Sequence, residues 1–199
     1  MEQKQQMNKY ILIILCGPAG SGKNYILNNL MSKYPDDLNL IIPDTTRPPR
    51  DSEKDGVDYN FLTTDEFFTK KHLEVTEFNN WYYGTPIDAL RQNKINITIL
   101  NPMAILQIYK YIDNLNIKIF YIDVPDKIRI LRQLNRETFP DVYEICRRFL
   151  ADKQDFNKLL STHLPLKKIT NLTFMDITKF FTAVKEIIDE FKVDLDNIN

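Results

Sequence analysis

The run Gly17-Pro18-Ala19-Gly20-Ser21-Gly22-Lys23 gathers three of the chain's five glycines around a lysine. Glycines at this spacing let main-chain N–H groups approach an anion without a Cβ in the way, and the lysine ammonium reaches the terminal phosphates. The pattern is G-x-x-x-x-G-K, completed by Asn24 where a Ser or Thr hydroxyl would contact Mg²⁺. An amide oxygen also coordinates a hard cation. Mg²⁺ is therefore expected to rest mostly on phosphates and water, with Asn24 as the protein's own ligand. A second constellation, Thr45-Thr46-Arg47-Pro48-Pro49-Arg50, sets two guanidinium groups on a proline-stiffened strip suited to a bidentate grip on another phosphate group. A third contains Arg132, Arg136, Arg147 and Arg148. On a helix Arg132 and Arg136, four residues apart, would share a face. Phosphoryl transfer spreads negative charge over the moving group, and a lid bearing arginines compensates that charge while excluding water.

Other chemistries have little to work with. The only cysteines, Cys16 and Cys146, are not spaced for metal, and free thiols suit a reducing, cytoplasmic interior. The two histidines, His72 and His163, lie apart on polar segments, which disfavours a histidine metal site or Ser-His-Asp chemistry. A net charge of −1 supplies no field to hold a nucleic-acid polymer. The longest apolar run, Tyr10 to Cys16, is too short to span a bilayer. Residues 1–8 read as a disordered polar tail without the layout of a signal peptide.

These groups must be positioned by an alternation of strands and helices. The apolar run before the glycine loop predicts a strand buried on both faces of a parallel sheet. Lys23 to Tyr34 has helical spacing, with Ile26, Leu27, Leu30 and Met31 on one side. Leu38 to Ile42 reads as a second strand, 44–58 as an irregular arm, and Tyr59 to Leu62 as a short strand. Thr64 is the expected N-cap of a helix over Asp65 to Lys71. Glu74 to Phe78 and Trp81 to Tyr83 flank a hairpin turn at Asn79-Asn80. Beyond it, helices are predicted over Pro86–Asn93, Pro102–Leu115, Pro125–Leu134, a long stretch ending near Leu160, and Asp176–Phe191. Strands are predicted over Ile95–Leu100, Ile117–Ile122 and Leu166–Thr170. The fold class is α/β: a three-layer α/β/α phosphate-loop core with a mostly parallel sheet, a small mixed lobe and a helical lid. The core would span 9–43 and 86–192, with the lid at about 132–148 and the lobe at 44–85.

Together, the glycine loop, the TTRxPR arm, Asp55-Gly56-Val57-Asp58-Tyr59-Asn60-Phe61 and Tyr82-Tyr83-Gly84-Thr85 resemble the guanylate kinase family, whose members carry these motifs in this order. The match runs from about Ile11 to Asn171. The resemblance implies ATP as phosphoryl donor, Mg²⁺, and a nucleoside monophosphate acceptor, within cytoplasmic purine nucleotide metabolism. It implies that Arg47, Arg50, Tyr59 and Tyr83, with Gly84 in their turn, hold the acceptor monophosphate. It further implies that Glu74 accepts from guanine N1–H and N2–H, and that Thr85 donates to O6. Arg132, Arg136 and Arg148 would be the lid arginines, and Asn171 the residue near adenine. The catalytic set is then Lys23, Arg47, Arg132, Arg136 and Arg148.

Pro43 stands where the family has a serine reading O6, and Asn101 and Met103 where it has an Asp-x-Asp pattern. The acceptor is left open between GMP, dGMP and another nucleoside monophosphate. Some guanylate-kinase-like domains are peptide-recognition scaffolds that no longer catalyse. Asn24 argues for that alternative, and the intact Lys23 and lid arginines argue against it.

Overall fold

The computed structural model describes residues 10–50, 53–109, 115–136 and 138–196. The polar tail expected at residues 1–8 lies outside the described residues. In chain order the elements are β1 (Ile11–Cys16), α1 (Lys23–Lys33), β2 (Leu38–Leu40), β3 (Asp44–Thr45), β4 (Asn60–Phe61), α2 (Thr64–Thr69), β5 (His72–Phe78), β6 (Trp81–Pro86), β7 (Ile95–Ile99), α3 (Pro102–Tyr109), β8 (Asn116–Asp123), α4 (Asp126–Leu134), α5 (Val142–Leu160), β9 (Leu166–Thr170) and α6 (Phe174–Asp196). The main sheet has the strand order β2-β7-β1-β8-β9, and a second sheet has the order β4-β3-β6-β5. The pairs β2–β7 and β8–β9 are parallel. The smaller sheet is mixed, β3 running parallel to β4 and antiparallel to β6. This is the expected α/β architecture. Two compact units divide within β1: Met1–Ile13 with Leu38–Ile117, and Ile14–Asp37 with Lys118–Asn199. Among the described residues no helix is long and apolar enough to cross a membrane.

In the first unit, β7 carries Ile95 and Ile97 on one face and Asn96 and Thr98 on the other, all four fully buried. Asn96 acts as a knot. Its Oδ1 accepts from Arg91 N at 2.8 Å, and its Nδ2 donates to Arg91 O at 3.0 Å and Ile11 O at 3.1 Å. This knot explains why the helix expected over Pro86–Asn93 does not form. Pro86 closes β6, Ile87–Ala89 makes one 3-10 turn, and Asn96 takes the Arg91 backbone groups that a helix would have used. The second strand is also shorter than expected, ending at Leu40. The helix begun by Pro102 is described to Tyr109, and the remainder of its predicted span lies outside the described residues.

The mixed sheet is built on the predicted hairpin. Asn79 and Asn80 both take left-handed conformations, φ 52° and 62°, which a two-residue turn joining twisted strands requires. The N-cap of α2 is Thr63, one residue before the expected Thr64, because Glu66 completes a capping box with it. His72, which the sequence places on a polar segment, turns its side chain inward, leaving it 3% exposed. Its ring stacks on Phe67 at 4.2 Å, and Nε2 lies 3.0 Å from Asp44 Oδ2. Asp44, fully buried, also accepts from Lys70 Nζ at 2.6 Å and from Asn60 Nδ2 at 2.7 Å. Neutralising a buried carboxylate with three donors is costly, because the Lys70 ammonium facing it loses its counter-charge. Asp44→Asn should therefore destabilise the protein by about 2–3 kcal/mol, at or below the lower end for broken buried pairs since Lys70 can swing to water. Urea denaturation reads this directly, and an unchanged midpoint would remove the cluster's structural role.

In the second unit, α1 buries Ile26, Leu27 and Leu30, each contributing about 1.5–3 kcal/mol of transfer free energy. Gly22 provides no side-chain cap for α1, so the helix's first N–H groups remain free for an anion. Phe120 meets Phe180 of α6 edge-on at 4.9 Å, and Tyr121 packs with Phe156 of α5. The last helix runs longer than expected at both ends; at its start Asp176 accepts from Leu172 N and Thr173 N.

Candidate active site

The glycine loop links β1 to α1 and is held by contacts on both sides. Ala19 N donates to Asp152 Oδ2 at 2.5 Å, and Ala19 O accepts from Arg129 NH1 at 3.1 Å. At Gly20, φ is +77° and a Cβ would collide with the Arg129 backbone, so this position takes glycine for two independent reasons. Lys23 turns its ammonium onto the loop's own carbonyls, Gly17 O at 2.7 Å and Pro18 O at 3.2 Å. Burial lowers the Lys23 pKa by penalising the charged form, and the Asp152 carboxylate counteracts it. Ser21 Oγ is buried without a hydrogen-bond partner among the described residues. Asn24 is exposed on the first turn of α1.

The arginines near this loop do different jobs. Arg132 donates to Asn171 O at 2.6 Å and approaches Gly20 O and Ser21 O at 3.4 and 3.5 Å. Asn171 Nδ2 donates in turn to Ser21 O at 2.8 Å, so both residues brace the loop. Arg136 does not share a helix face with Arg132, because α4 ends at Leu134 and Asn135 caps it. It instead lines a pocket with Gln133, Glu144 and Arg148. Glu144 binds Arg147 through both carboxylate oxygens and Arg148 at 2.6 Å. These hydrogen bonds, Arg147's first, outweigh burial and hold the Glu144 carboxyl down at about 2.

The acceptor-type residues gather in the mixed lobe of the first unit. The Arg47 guanidinium lies 5.5 Å over the Tyr59 ring, and Tyr59 meets Tyr83 edge-on at 6.0 Å. Glu53 clamps this group, pairing with Arg47 at 2.9 Å and accepting from Arg50 N at 2.9 Å. The Arg50 side chain is exposed and 3.6 Å from the same carboxylate. Glu74 and Thr85 are both buried, and Thr85 Oγ1 donates to Glu74 Oε1 at 2.9 Å. Glu74 Oε2 has no hydrogen-bond partner among the described residues, and burial raises the carboxyl pKa to about 8. At Gly84 a Cβ would come within 2.7 Å of the His72 ring, so its missing side chain serves packing inside the lobe. Trp81 sits half-open at the hairpin end.

Arg129, Asp152, Glu53 and Glu144 were not singled out by sequence reasoning. Glu144 had a readable signal, since it precedes Arg147 and Arg148 by three and four residues on a helix. Asp152 and Arg129 had none, because only tertiary packing brings them to Ala19. Asn101 is a helix cap: its Oδ1 accepts from Ala104 N at 2.9 Å. Among the described residues no cluster of three or more His, Cys, Asp or Glu could hold a metal.

Comparison with known proteins agrees with this geometry. A family model for guanylate kinase matches residues 9–186. A guanylate kinase of Malacoplasma penetrans is 35% identical over 150 residues, 73% of this chain and 66% of that protein. MAGUK p55 subfamily member 7 of Xenopus tropicalis is 33% identical over 143 residues, 67% of this chain and 24% of that protein. The crystal structure of guanylate kinase from Anaplasma phagocytophilum shares the fold, with a TM-score of 0.63 at 16% identity over 91% of this chain and 85% of that one. This chain thus spans about a quarter of one curated relative and just under two thirds of the other. With a glycine loop opening a helix, an arginine arm beside paired tyrosines, and a family match over most of its length, the chain belongs to the guanylate kinase family.

Proposed function

We propose that the protein is a cytoplasmic ATP:GMP phosphotransferase, moving the γ-phosphoryl of ATP to GMP or dGMP to give ADP and GDP or dGDP. The observation that carries this reading is Glu74, a buried carboxylate with one oxygen unmatched. A buried acceptor without a donor is costly unless a ligand supplies one. Guanine N1–H and N2–H are two parallel donors of the right kind. In the same lobe Arg47 and Arg50, with the Tyr59 and Tyr83 hydroxyls, are suited to the acceptor's phosphate. The lobe at 44–85 is thus the acceptor module, and 9–43 with 86–192 the donor core.

In the reaction an acceptor phosphate oxygen attacks the γ-phosphorus, the bond to the β–γ bridging oxygen breaks, and ADP leaves. Lys23 would exchange the carbonyls of Gly17 and Pro18 for the terminal phosphates. Ala19, Gly20, Ser21 and Gly22 would offer main-chain N–H groups, with Pro18 shaping the turn and Asn171 bracing it. Arg132, Arg136 and Arg148 would offset charge on the transferring group. Asn24, exposed beside the loop, suits a single amide oxygen on Mg²⁺, with phosphates and water as the remaining ligands. When bound, Mg²⁺ neutralises phosphate charge.

The base remains the open variable. Thr85 already donates its one hydroxyl proton to Glu74, and Pro43 has no side-chain donor, so neither position offers a free side-chain donor to O6. The deciding assay is coupled ADP release with ATP-Mg²⁺ and a panel of GMP, dGMP, AMP, CMP, UMP and dTMP. Turnover is expected with GMP or dGMP. Turnover with AMP or CMP alone would assign another nucleoside monophosphate kinase. Asn24 and the similarity to a MAGUK protein favour, as a second reading, a binding module without catalysis. That reading wins if no acceptor turns over.

A further inference from the structure

In this structure two of the loop's phosphate-facing groups, the Ala19 amide and the Lys23 ammonium, already have partners within the protein. The Ala19 amide, one of the N–H groups available to a phosphate oxygen, donates to the Asp152 carboxylate at 2.5 Å. Lys23 rests on the carbonyls of Gly17 and Pro18. Asp152 is half-buried in the middle of α5, the helix that also carries Arg148. An aspartate side chain and a phosphate offer the same thing to a peptide N–H: an anionic oxygen at charge-assisted hydrogen-bond distance. The carbonyl of the same residue accepts from Arg129 and so ties Ala19 to α4. The arginine is itself fixed, buried against Val124 O and paired with Asp126 at 2.6 Å. The loop's central residue is therefore gripped by two helices, one through a cation and one through an anion. Only the anionic grip competes with a phosphate.

Given that the loop binds a donor triphosphate as proposed above, we infer that Asp152 is a built-in stand-in for a donor phosphate oxygen. It occupies the Ala19 amide in the ligand-free protein and must be displaced for donor to bind. Donor binding and release of α5 from the loop are then one event. The donor triphosphate reports its presence to the helix carrying Arg148 through the loss of this one bond. The stand-in lowers donor affinity, because the binding-competent loop is only a fraction of the ligand-free population. In return, an empty loop keeps an anion opposite Lys23 and an acceptor on its amide.

The test uses the full chain and calorimetry of ATP, inorganic triphosphate and adenosine with Asp152→Ala, the isosteric Asp152→Asn and the charge control Asp155→Asn. Asp152→Ala should bind ATP and triphosphate about tenfold more tightly, with Asp152→Asn between it and the wild type and adenosine unchanged. Asp155→Asn, on the same helix, should stay within twofold. Hydrogen exchange over 142–160 should rise on adding ATP to the wild type and start high in ligand-free Asp152→Ala. Asp152→Asn carries the comparison if the alanine variant fails to fold. Unchanged or weaker ATP binding in the Asp152 variants would overturn the inference, as would equal tightening by Asp155→Asn. Wild type that binds neither ATP nor triphosphate would instead overturn the donor-loop reading itself.

Discussion

Glu74→Gln should raise the KM for GMP by two orders of magnitude or more while increasing stability above pH 8. The two effects share a cause. Glu74 is 6% exposed, its Oε1 takes the Thr85 hydroxyl, and its Oε2 takes nothing. A site built to accept from two N–H groups loses strongly when one acceptor becomes an amide NH₂, because donor then faces donor. The loss should appear in GMP affinity and not in the affinity for ATP, whose groups lie in the other unit.

The stability effect follows from the carboxyl's raised pKa. Its ordinary value is 4.5, and burial lifts it to about 8 in the folded protein. Between those values the folded state holds a proton that the unfolded chain has released. Stability therefore falls as pH rises through that window, and the full cost is reached above pH 8. The cost is of order 4–5 kcal/mol by linkage, an upper figure once water penetration is allowed. The amide in Glu74→Gln never ionises, so the variant's stability should be flatter between pH 5 and 8 and exceed the wild type's at pH 9. Urea titrations at pH 5, 7 and 9 measure both slopes, and parallel slopes would show that Glu74 is not buried as drawn. The same linkage acts on the ligand. If GMP binds through the Glu74 carboxylate as proposed, its affinity should improve about tenfold per pH unit from 6 to 8, with about one proton released per GMP bound at pH 6–7. Calorimetry in buffers of different ionisation enthalpy reads that proton.

Features encoded in one short segment were legible in the sequence. The apolar run Ile11–Cys16 could only be a doubly buried strand, and Asn79-Asn80 between two strand patterns could only be a tight turn. The loop and the arm were readable because each is a contiguous motif whose spacing is its chemistry. The misreadings have a different origin. Pro86–Asn93 has a helical composition, but Asn96 reaches back to Arg91 and Ile11 and takes the backbone groups. His72 stands among polar residues, and only the strand pairing turns it inward onto Asp44 and Phe67. Arg136 falls beyond the helix because α4 stops two residues earlier, a boundary that no nearby glycine or proline marks. Asn101 could be read as a lost acid, yet it follows a strand and precedes Pro102, which is also where a helix cap belongs. The acids that contact the site's arginines or its loop amide, Glu53, Glu144 and Asp152, show the limit most clearly. A sequence advertises contiguous motifs suited to phosphate more readily than the carboxylates that tertiary packing brings against them.

Lys23→Ala should lower turnover by about 10²–10³-fold and leave GMP affinity within twofold. The ammonium is the loop's only side-chain cation, and in the proposed reaction its worth would lie in meeting charge on the terminal phosphates as the bond to the bridging oxygen breaks. An interaction that strengthens in the transition state shows in kcat when removed. The proposed acceptor set of Arg47, Tyr59, Glu74, Tyr83 and Thr85 belongs to the other compact unit, whereas Lys23 spends its hydrogen bonds within its own loop. The fold should survive. The partners of Lys23 are Gly17 O and Pro18 O, carbonyls that water can reach once the side chain is gone, and burial already opposes its charge. A melting temperature within a few degrees of wild type, normal GMP calorimetry and collapsed kcat would together place Lys23 in the chemistry. Lys23→Arg should not restore the rate. A planar guanidinium cannot replace a compact ammonium seated between two carbonyls of a loop this tight. Turnover within tenfold of wild type in Lys23→Ala would refute the loop's catalytic role, whatever the panel of acceptors shows.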